Sequence, residues 1–86
     1  MKYQFHNHFK KAYLKLPERI KKSVESRLML FSKGSFEISL NDHPLLGKYK
    51  GYRSINITGN YRAIYKELRG DEVIFVKLGT HSELYG

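Results

Sequence analysis

The sequence contains no cysteine, and this absence excludes both disulfide bonds and thiolate metal ligands. A chain of 86 residues without such crosslinks must be stabilised by one modest core or by a partner, and a reducing compartment suits it. Its longest uninterrupted apolar segments, residues 28–31 and 73–76, are too short for a membrane span or a signal-peptide core. The composition therefore predicts a single domain over residues 1–86 that lies in the cytoplasm and does not enter a membrane.

Acidic residues are scarce as well. The chain has 16 Lys and Arg residues but only 8 Asp and Glu residues, which gives a net charge of +8. Most of this excess lies in residues 1–50. Because a basic domain binds polyanions with release of counterions, nucleic acid is the first partner class to consider. A basic surface that only aids solubility, or one that binds an acidic protein, is the alternative.

The first part of the chain is predicted to form a strand and two helices. Residues 2–5 alternate polar and apolar, which is typical of a strand. Asn7 is a candidate N-cap for a helix over residues 8–16. Pro17 suits the first turn of a second helix, and Gly34 suits its C-terminal end. The apolar residues of this second helix recur at helical spacing: Ile20, Val24, Leu28 and Phe31.

The rest of the chain is predicted to supply three strands. Phe36, Ile38 and Leu40 alternate and favour a brief extended segment, and the turn-forming residues that follow should interrupt any regular element: Asp42, Pro44 and Gly47. Strands are predicted over 52–57, 61–66 and 72–78, and residues 79–86 form a short irregular or single-turn tail. The order β-α-α-β-β-β predicts an α+β fold, in which a small, mostly antiparallel sheet carries the helical hairpin on one face. The other face is left open to water or to a ligand.

The turn at residues 58–60 decides which side chains share a face. A two-residue loop would place Arg62 with Ile55 and Ile57, whereas one more residue or a bulge would place it with Ser54 and Asn56. We prefer the second register because a buried, unpaired guanidinium is costly. Arg62 is then expected on the open face.

The four histidines differ in their surroundings. His6 and His8 precede or begin a helix and are interpreted as surface residues. The sequence has no HExxH motif and no acidic cluster beside a histidine pair, so we predict neither a metal centre nor a cofactor. His43 and His81 lie in turn-rich segments on either side of the basic hairpin. They are candidates for acid–base work because the pKa of histidine lies near neutrality.

Two segments carry a family resemblance: HPLLGKYKGYRSINITGNYRAIY over residues 43–65 and GTHSELY over residues 79–85. The chain resembles the RelE/ParE superfamily of bacterial type II toxins, most closely the YafQ-like and YoeB-like mRNA interferases. The resemblance implies a compact α+β toxin that enters the ribosomal A site and cleaves mRNA there. It also implies neutralisation by an acidic antitoxin, with operator DNA bound only through the toxin–antitoxin complex.

The resemblance assigns roles to individual residues. His43 and His81 match active-site histidines, and Arg62 matches a phosphate-binding arginine that Arg53 is expected to assist. The ribose 2′-OH would attack the adjacent phosphate without a metal ion, the histidines moving protons and the arginine balancing charge. Further RNA contacts are expected from the neighbouring polar and aromatic residues: Lys48, Lys50, Asn56, Tyr61 and Tyr85.

Three positions depart from the YafQ-like pattern. Asn56 and Asn60 stand where such toxins have a histidine and an aspartate, and Tyr61 stands for a tryptophan. Two alternatives therefore remain besides the endoribonuclease. One is a ParE-like toxin that acts on DNA gyrase, and the other is a non-catalytic relic that only binds an antitoxin.

Overall fold

The computed structural model describes residues 2–34 and 38–85. The elements follow in the order β1 (Lys2–Phe5), α1 (Asn7–Leu14), α2 (Glu18–Ser32), β2 (His43–Pro44), β3 (Arg53–Asn56), β4 (Tyr61–Glu67), β5 (Glu72–Thr80) and α3 (His81–Tyr85). Two short 3₁₀ turns lie at Ile38–Leu40 and Gly47–Tyr49. In the parts of the chain so described, no helix is long and apolar enough to cross a membrane.

The five strands form one sheet in the order β1-β5-β4-β3-β2. β1 runs parallel to β5, and every other neighbouring pair is antiparallel. The first strand can lie beside the last because the two helices between β1 and β2 carry the chain across the sheet. The predicted α+β class and the mostly antiparallel sheet are confirmed.

One face of the sheet packs against α1 and α2, as predicted for the helical hairpin. The four apolar residues that recur at helical spacing along α2 are buried there, together with residues of β3, β4 and β5. At its centre the Phe31 ring lies 4.9 Å from that of Tyr65 and 5.3 Å from that of Phe75, measured between centroids. Each such buried side chain contributes on the order of 1.5–3 kcal/mol, so this face supplies most of the fold's stability.

The helix ends differ in detail from the prediction. His6, not Asn7, is the N-cap of α1, because its backbone is extended and its Nδ1 accepts a hydrogen bond from the backbone N–H of His8. α1 ends at Leu14, and Pro17 precedes the first turn of α2 rather than forming part of it. Gly34 follows α2 with a φ of 132°, a conformation that favours glycine, as predicted for this end.

The connector before the hairpin is more regular than expected. Ile38–Leu40 form a 3₁₀ turn rather than an extended segment, since Leu40 turns into the core, and Phe36 lies outside the described residues. His43–Pro44 pair with β3 and add a strand that the sequence did not predict. Pro44 is tolerated there because this strand is at the sheet's edge, where no further strand needs its missing N–H.

The second face of the sheet is only partly open. The Tyr49 hydroxyl donates to the backbone carbonyl of Leu84 over 3.1 Å, so the Gly47–Tyr49 turn and α3 meet. α3 lies directly against Gly79, where an added Cβ would come within 3.0 Å of Glu83 Oε1. Ile64 is fully buried although it points away from the helices. What stays uncovered on this face is a set of grooves.

Candidate active site

The β3–β4 hairpin has the register that was preferred from the sequence. Asn56 pairs with Arg62 and Ile55 with Ala63, around a three-residue turn at 58–60. The turn is closed by Thr58 Oγ1, which accepts hydrogen bonds from the backbone N–H groups of residues 60 and 61. Ile55 and Ala63 are therefore buried under the helices, and Arg62 points to the opposite face.

A groove of about 410 Å³ lies on that opposite face. We call it the histidine groove; it is lined by Asn41, His43, Leu45, Leu46, Ser54, Arg62, His81 and Tyr85. Three separate parts of the chain thus bring together all three residues predicted as catalytic, along with Tyr85. No carboxylate is present among the described residues that line it, so the groove is suited to an anion.

Arg62 is held at one end of its guanidinium only. Its Nη1 donates to the backbone carbonyls of Thr58 (2.8 Å), Gly59 (3.2 Å) and Tyr61 (3.1 Å). Within residues 2–34 and 38–85, no carboxylate pairs with it and its other two nitrogens have no hydrogen-bond partner. The charge is therefore fixed in place but not neutralised, which is what a phosphate site requires.

His43 is oriented by the connector. Its Nδ1 lies 2.7 Å from the backbone carbonyl oxygen of Asn41, which has a left-handed φ of 47°. A carbonyl can only accept, so Nδ1 carries the hydrogen and the lone pair of the neutral ring is on Nε2. This arrangement leaves His43 with one nitrogen that can take a proton from a ligand.

His81 begins α3 and is held by its backbone. Its N–H donates to the carbonyl of Asn60 over 3.0 Å, which ties the helix to the hairpin turn. Thr80 and Glu83 form a reciprocal capping box: Glu83 Oε1 accepts from the Thr80 N–H, and Thr80 Oγ1 accepts from the Glu83 N–H. The His81 ring is exposed and lies 4.7 Å from the Tyr85 ring.

The structure separates Arg53 from Arg62, contrary to the expectation that both would meet one phosphate. Arg53 pairs with Tyr65 across the strands and shares its face, because neighbouring residues of a strand point to opposite sides. Its Nε donates to Asp42 Oδ1 (2.9 Å), and the Tyr65 hydroxyl donates to Asp42 Oδ2 (2.6 Å). Burial and this hydrogen bond raise the pKa of Tyr65 above its ordinary range.

Apart from Tyr85, the other predicted RNA contacts also lie outside the histidine groove. Tyr61 packs against the core, so its expected stacking on a base is not supported by its position. Lys48 and Lys50 are exposed at the Gly47–Tyr49 turn and beside it. Asn56 lies next to Arg62, and its Oδ1 is buried without a hydrogen-bond partner among the described residues.

Two polar lining residues, Ser54 and Asn41, were not assigned a role from the sequence. Ser54 forms part of the floor, is fully buried, and has no hydrogen-bond partner for its Oγ in the described ranges. Its position in the hairpin register, on the same face as Arg62, could have indicated from the sequence that it lines the groove. Asn41 orients His43 through its main chain, and no side-chain pattern indicates this.

Comparison with known proteins identifies the family. Residues 1–86 match the family described as the bacterial toxin of the type II toxin–antitoxin system, YafQ. The chain belongs to the YafQ toxin family. The earlier resemblance to RelE/ParE toxins is thereby confirmed. A curated relative, the mRNA interferase toxin YafQ of Escherichia coli strain K12, is 42% identical over 45 residues. That match spans 52% of this chain and about half (48%) of the relative.

Solved structures of YafQ toxins have the same fold. YafQ from Escherichia coli strain BL21(DE3) superposes with a TM-score of 0.81 at 24% identity, over 98% of this chain and 97% of that one. The YafQ chain of the Escherichia coli DinJ–YafQ toxin–antitoxin complex gives 0.80 at 25% identity, over 98% and 96%. A YoeB/ParE toxin from Agrobacterium tumefaciens gives 0.76 at 20% identity, over 94% and 99%.

Proposed function

We propose that this YafQ-family chain is the toxin of a type II toxin–antitoxin system and an endoribonuclease that cleaves mRNA on the ribosome. The observation that supports this most directly is that His43, Arg62 and His81 line one groove that has no carboxylate among its described residues. The relative from Escherichia coli is named an mRNA interferase, and its name indicates the substrate class.

The reaction needs two proton transfers and one cation. The 2′-oxygen forms a bond to phosphorus while the bond from phosphorus to the 5′-oxygen breaks. The products are a 2′,3′-cyclic phosphate and a free 5′-hydroxyl. A base must take the proton of the 2′-OH, an acid must protonate the departing 5′-oxygen, and a cation must balance the charge on the phosphoryl oxygens.

His43 is the residue we assign to the base. The hydrogen bond from its Nδ1 to the Asn41 carbonyl leaves the lone pair on Nε2, which is the form that accepts a proton. His81 is assigned to the acid, because its exposed ring has no hydrogen bond to other described residues and is free to donate to the leaving oxygen.

Arg62 is assigned to the phosphoryl oxygens. Three backbone carbonyls hold Nη1, so the guanidinium does not have to be ordered when the substrate binds. Tyr85 offers a ring beside His81 on which an unstacked base can pack. Asn56 is proposed to hydrogen-bond the RNA beside Arg62, and Lys48 and Lys50 to contact neighbouring phosphates.

An antitoxin is the proposed protein partner. The similar YafQ chain was crystallised as a toxin–antitoxin complex with DinJ. A net charge of +8 on this chain favours an acidic partner. We infer that operator DNA is bound only through that complex, and that the toxin acts in the cytoplasm, where its proposed ribosomal substrate is found.

The test is to induce the chain in bacterial cells and to map the 5′ ends of their mRNAs. Loss of a positioned acid lowers the rate by about 10²–10⁴-fold, so His81→Ala should remove the new 5′ ends and restore growth. Wild type and His81→Ala with the same 5′ ends and the same growth would show that the chain is not this nuclease. DNA breaks that depend on gyrase would instead indicate a ParE-like toxin.

A further inference from the structure

A second groove, of about 300 Å³, lies beside the histidine groove. We call it the tyrosine groove; it is lined by His6, His8, Lys48, Tyr49, Tyr52, Val76 and Lys77. Two lysines, two histidines and two tyrosines thus surround one concave surface, and no carboxylate is among its described lining residues. Of these residues, only Lys48 has been proposed above to contact RNA.

The two grooves lie on the same side of the sheet. Lys77 pairs with Ile64, which pairs in turn with Ser54 in the floor of the histidine groove. Tyr49 lies between the grooves, because its ring centroid is 5.7 Å from that of Tyr85 and 6.4 Å from that of Tyr52. A row of three tyrosine rings therefore leads from the candidate active site into the tyrosine groove.

Each of the two tyrosines in this groove has an ammonium group near its ring. Lys48 Nζ lies 5.3 Å from the centroid of Tyr49, and Lys66 Nζ lies 5.8 Å from that of Tyr52. Nδ1 of His6 accepts a hydrogen bond from the His8 N–H, so the neutral ring carries its hydrogen on Nε2 and can donate there. Aromatic rings that alternate with cations are the usual surface for single-stranded nucleic acid.

We propose that the tyrosine groove is a second RNA subsite, which binds nucleotides next to the cleaved phosphate. Tyr52 and Tyr49 would stack on a base, and Lys48 and Lys77 would contact the phosphates on either side of it. This inference depends on the proposed function, because it takes the histidine groove as the place of cleavage. RNA is favoured over an acidic peptide because a peptide would use the lysines but has no need of a row of rings.

The test compares two RNA lengths. A short oligoribonucleotide covers only the cleaved step, and a longer one extends it by three nucleotides on each side, both with 2′-O-methyl groups that prevent cleavage. Stacking on an aromatic ring strengthens binding by about tenfold per base, so wild type should bind the longer RNA at least about tenfold more tightly. Fluorescence anisotropy at fixed salt measures both dissociation constants.

Substitutions in the tyrosine groove should remove this gain without weakening the short RNA. Tyr52→Leu keeps an apolar side chain but loses the ring, whereas Tyr52→Phe keeps the ring and should retain the gain. Lys77→Gln should lower the slope of log affinity against log salt by about 0.7 for the longer RNA. The matched control is Lys22→Gln, which removes the same charge from an exposed site on α2.

Each outcome decides the proposal. It is overturned if the longer RNA binds no better than the short one, if Tyr52→Leu keeps the gain, or if Lys22→Gln has the same effect as Lys77→Gln. It is also overturned if the variants bind RNA normally but weaken the antitoxin complex, since the groove would then belong to the antitoxin. The nuclease assignment is tested separately by the His81→Ala cleavage map, so the two failures are distinguishable.

Discussion

The two faces of the sheet differ in whether their polar side chains have hydrogen-bond or ion-pair partners. At the rim of the helix-covered face, the Asp42 side chain is only 5% exposed, yet both its oxygens are occupied, one by Arg53 and one by the Tyr65 hydroxyl. On the groove-bearing face, Arg62 has no carboxylate partner in the described chain, and Ser54 Oγ is buried without a hydrogen bond there.

This difference separates stability from function within the same strands. A satisfied polar group stabilises the fold, whereas an unsatisfied one costs free energy unless a ligand completes it. On the helix-covered face, the polar groups of β3 and β4 are therefore hydrogen-bonded. In the histidine groove, polar groups of the same strands lack partners among the described residues. The chain offers a direct way to test this, since each strand contributes one arginine and the two point to opposite faces.

The largest expected effect is on the groove side. Arg62→Gln keeps a polar side chain but removes the charge, so the rate of ribosome-dependent mRNA cleavage should fall about 10²–10³-fold. Thermal unfolding should change little, because the hydrogen-bond partners of Arg62 among the described residues are backbone carbonyls, which water can bond in its place. Single-turnover cleavage and calorimetry measure the two quantities. A destabilised Arg62→Gln protein would contradict the separation of the two faces.

Replacing the arginine of the helix-covered face should have the opposite effect: stability should fall and cleavage should be retained. Arg53→Gln leaves the buried Asp42 carboxylate with only the Tyr65 hydroxyl, so the free energy of unfolding should fall by about 1–2 kcal/mol. Cleavage measured well below the unfolding temperature should stay within a few-fold of wild type. Urea unfolding gives the stability. A loss of cleavage as large as that of Arg62→Gln would mean that Arg53 reaches the substrate after all.

A smaller effect concerns the pKa of Tyr65, which is raised from its ordinary value of 10.0 by burial and by the hydrogen bond to Asp42. Below pH 10 the folded and unfolded chains both hold this proton, and above it the unfolded chain releases the proton first. Stability is therefore lost as the pH rises. The advantage of wild type over Tyr65→Phe should shrink by about 1 kcal/mol between pH 9 and 11.

Urea unfolding of both proteins across this pH range is the measurement. The two proteins differ only in the Tyr65 hydroxyl, so the change of their difference with pH isolates the ionisation of that group. A constant difference between the two would show that Tyr65 ionises as readily in the fold as in the unfolded chain.

The core was predictable because burial leaves a periodic pattern. The spacing of Ile20, Val24, Leu28 and Phe31 indicates the buried side of α2 from the sequence alone. The hairpin register followed from the cost of burying Arg62. The same register also implied that Arg53, two residues before Ile55, faces the helices, and that Tyr61 does so with Ala63. The positions of Arg53 and Tyr61 on the helix-covered face could therefore have been predicted from the sequence.

Other features of the candidate site are harder to predict from the sequence. The Thr80-His81-Ser82-Glu83 segment is a capping box, and it could have indicated that α3 begins at His81. Strand β2 is two residues long and contains a proline, so neither its length nor its composition is typical of a strand. The orientation of His43 depends on the carbonyl of Asn41, and main-chain contacts of this kind leave no mark on the sequence.

The turn at residues 58–60 touches two of the proposed catalytic residues at once. Carbonyls of Thr58 and Gly59 hold Arg62, and the carbonyl of Asn60 holds the start of α3 at His81. Every amino acid has a carbonyl, so apart from Thr58, whose hydroxyl closes the turn, the kind of residue here is less constrained than the number of residues. Among relatives, the turn is therefore expected to vary in composition at positions 59 and 60 and to tolerate neither an insertion nor a deletion.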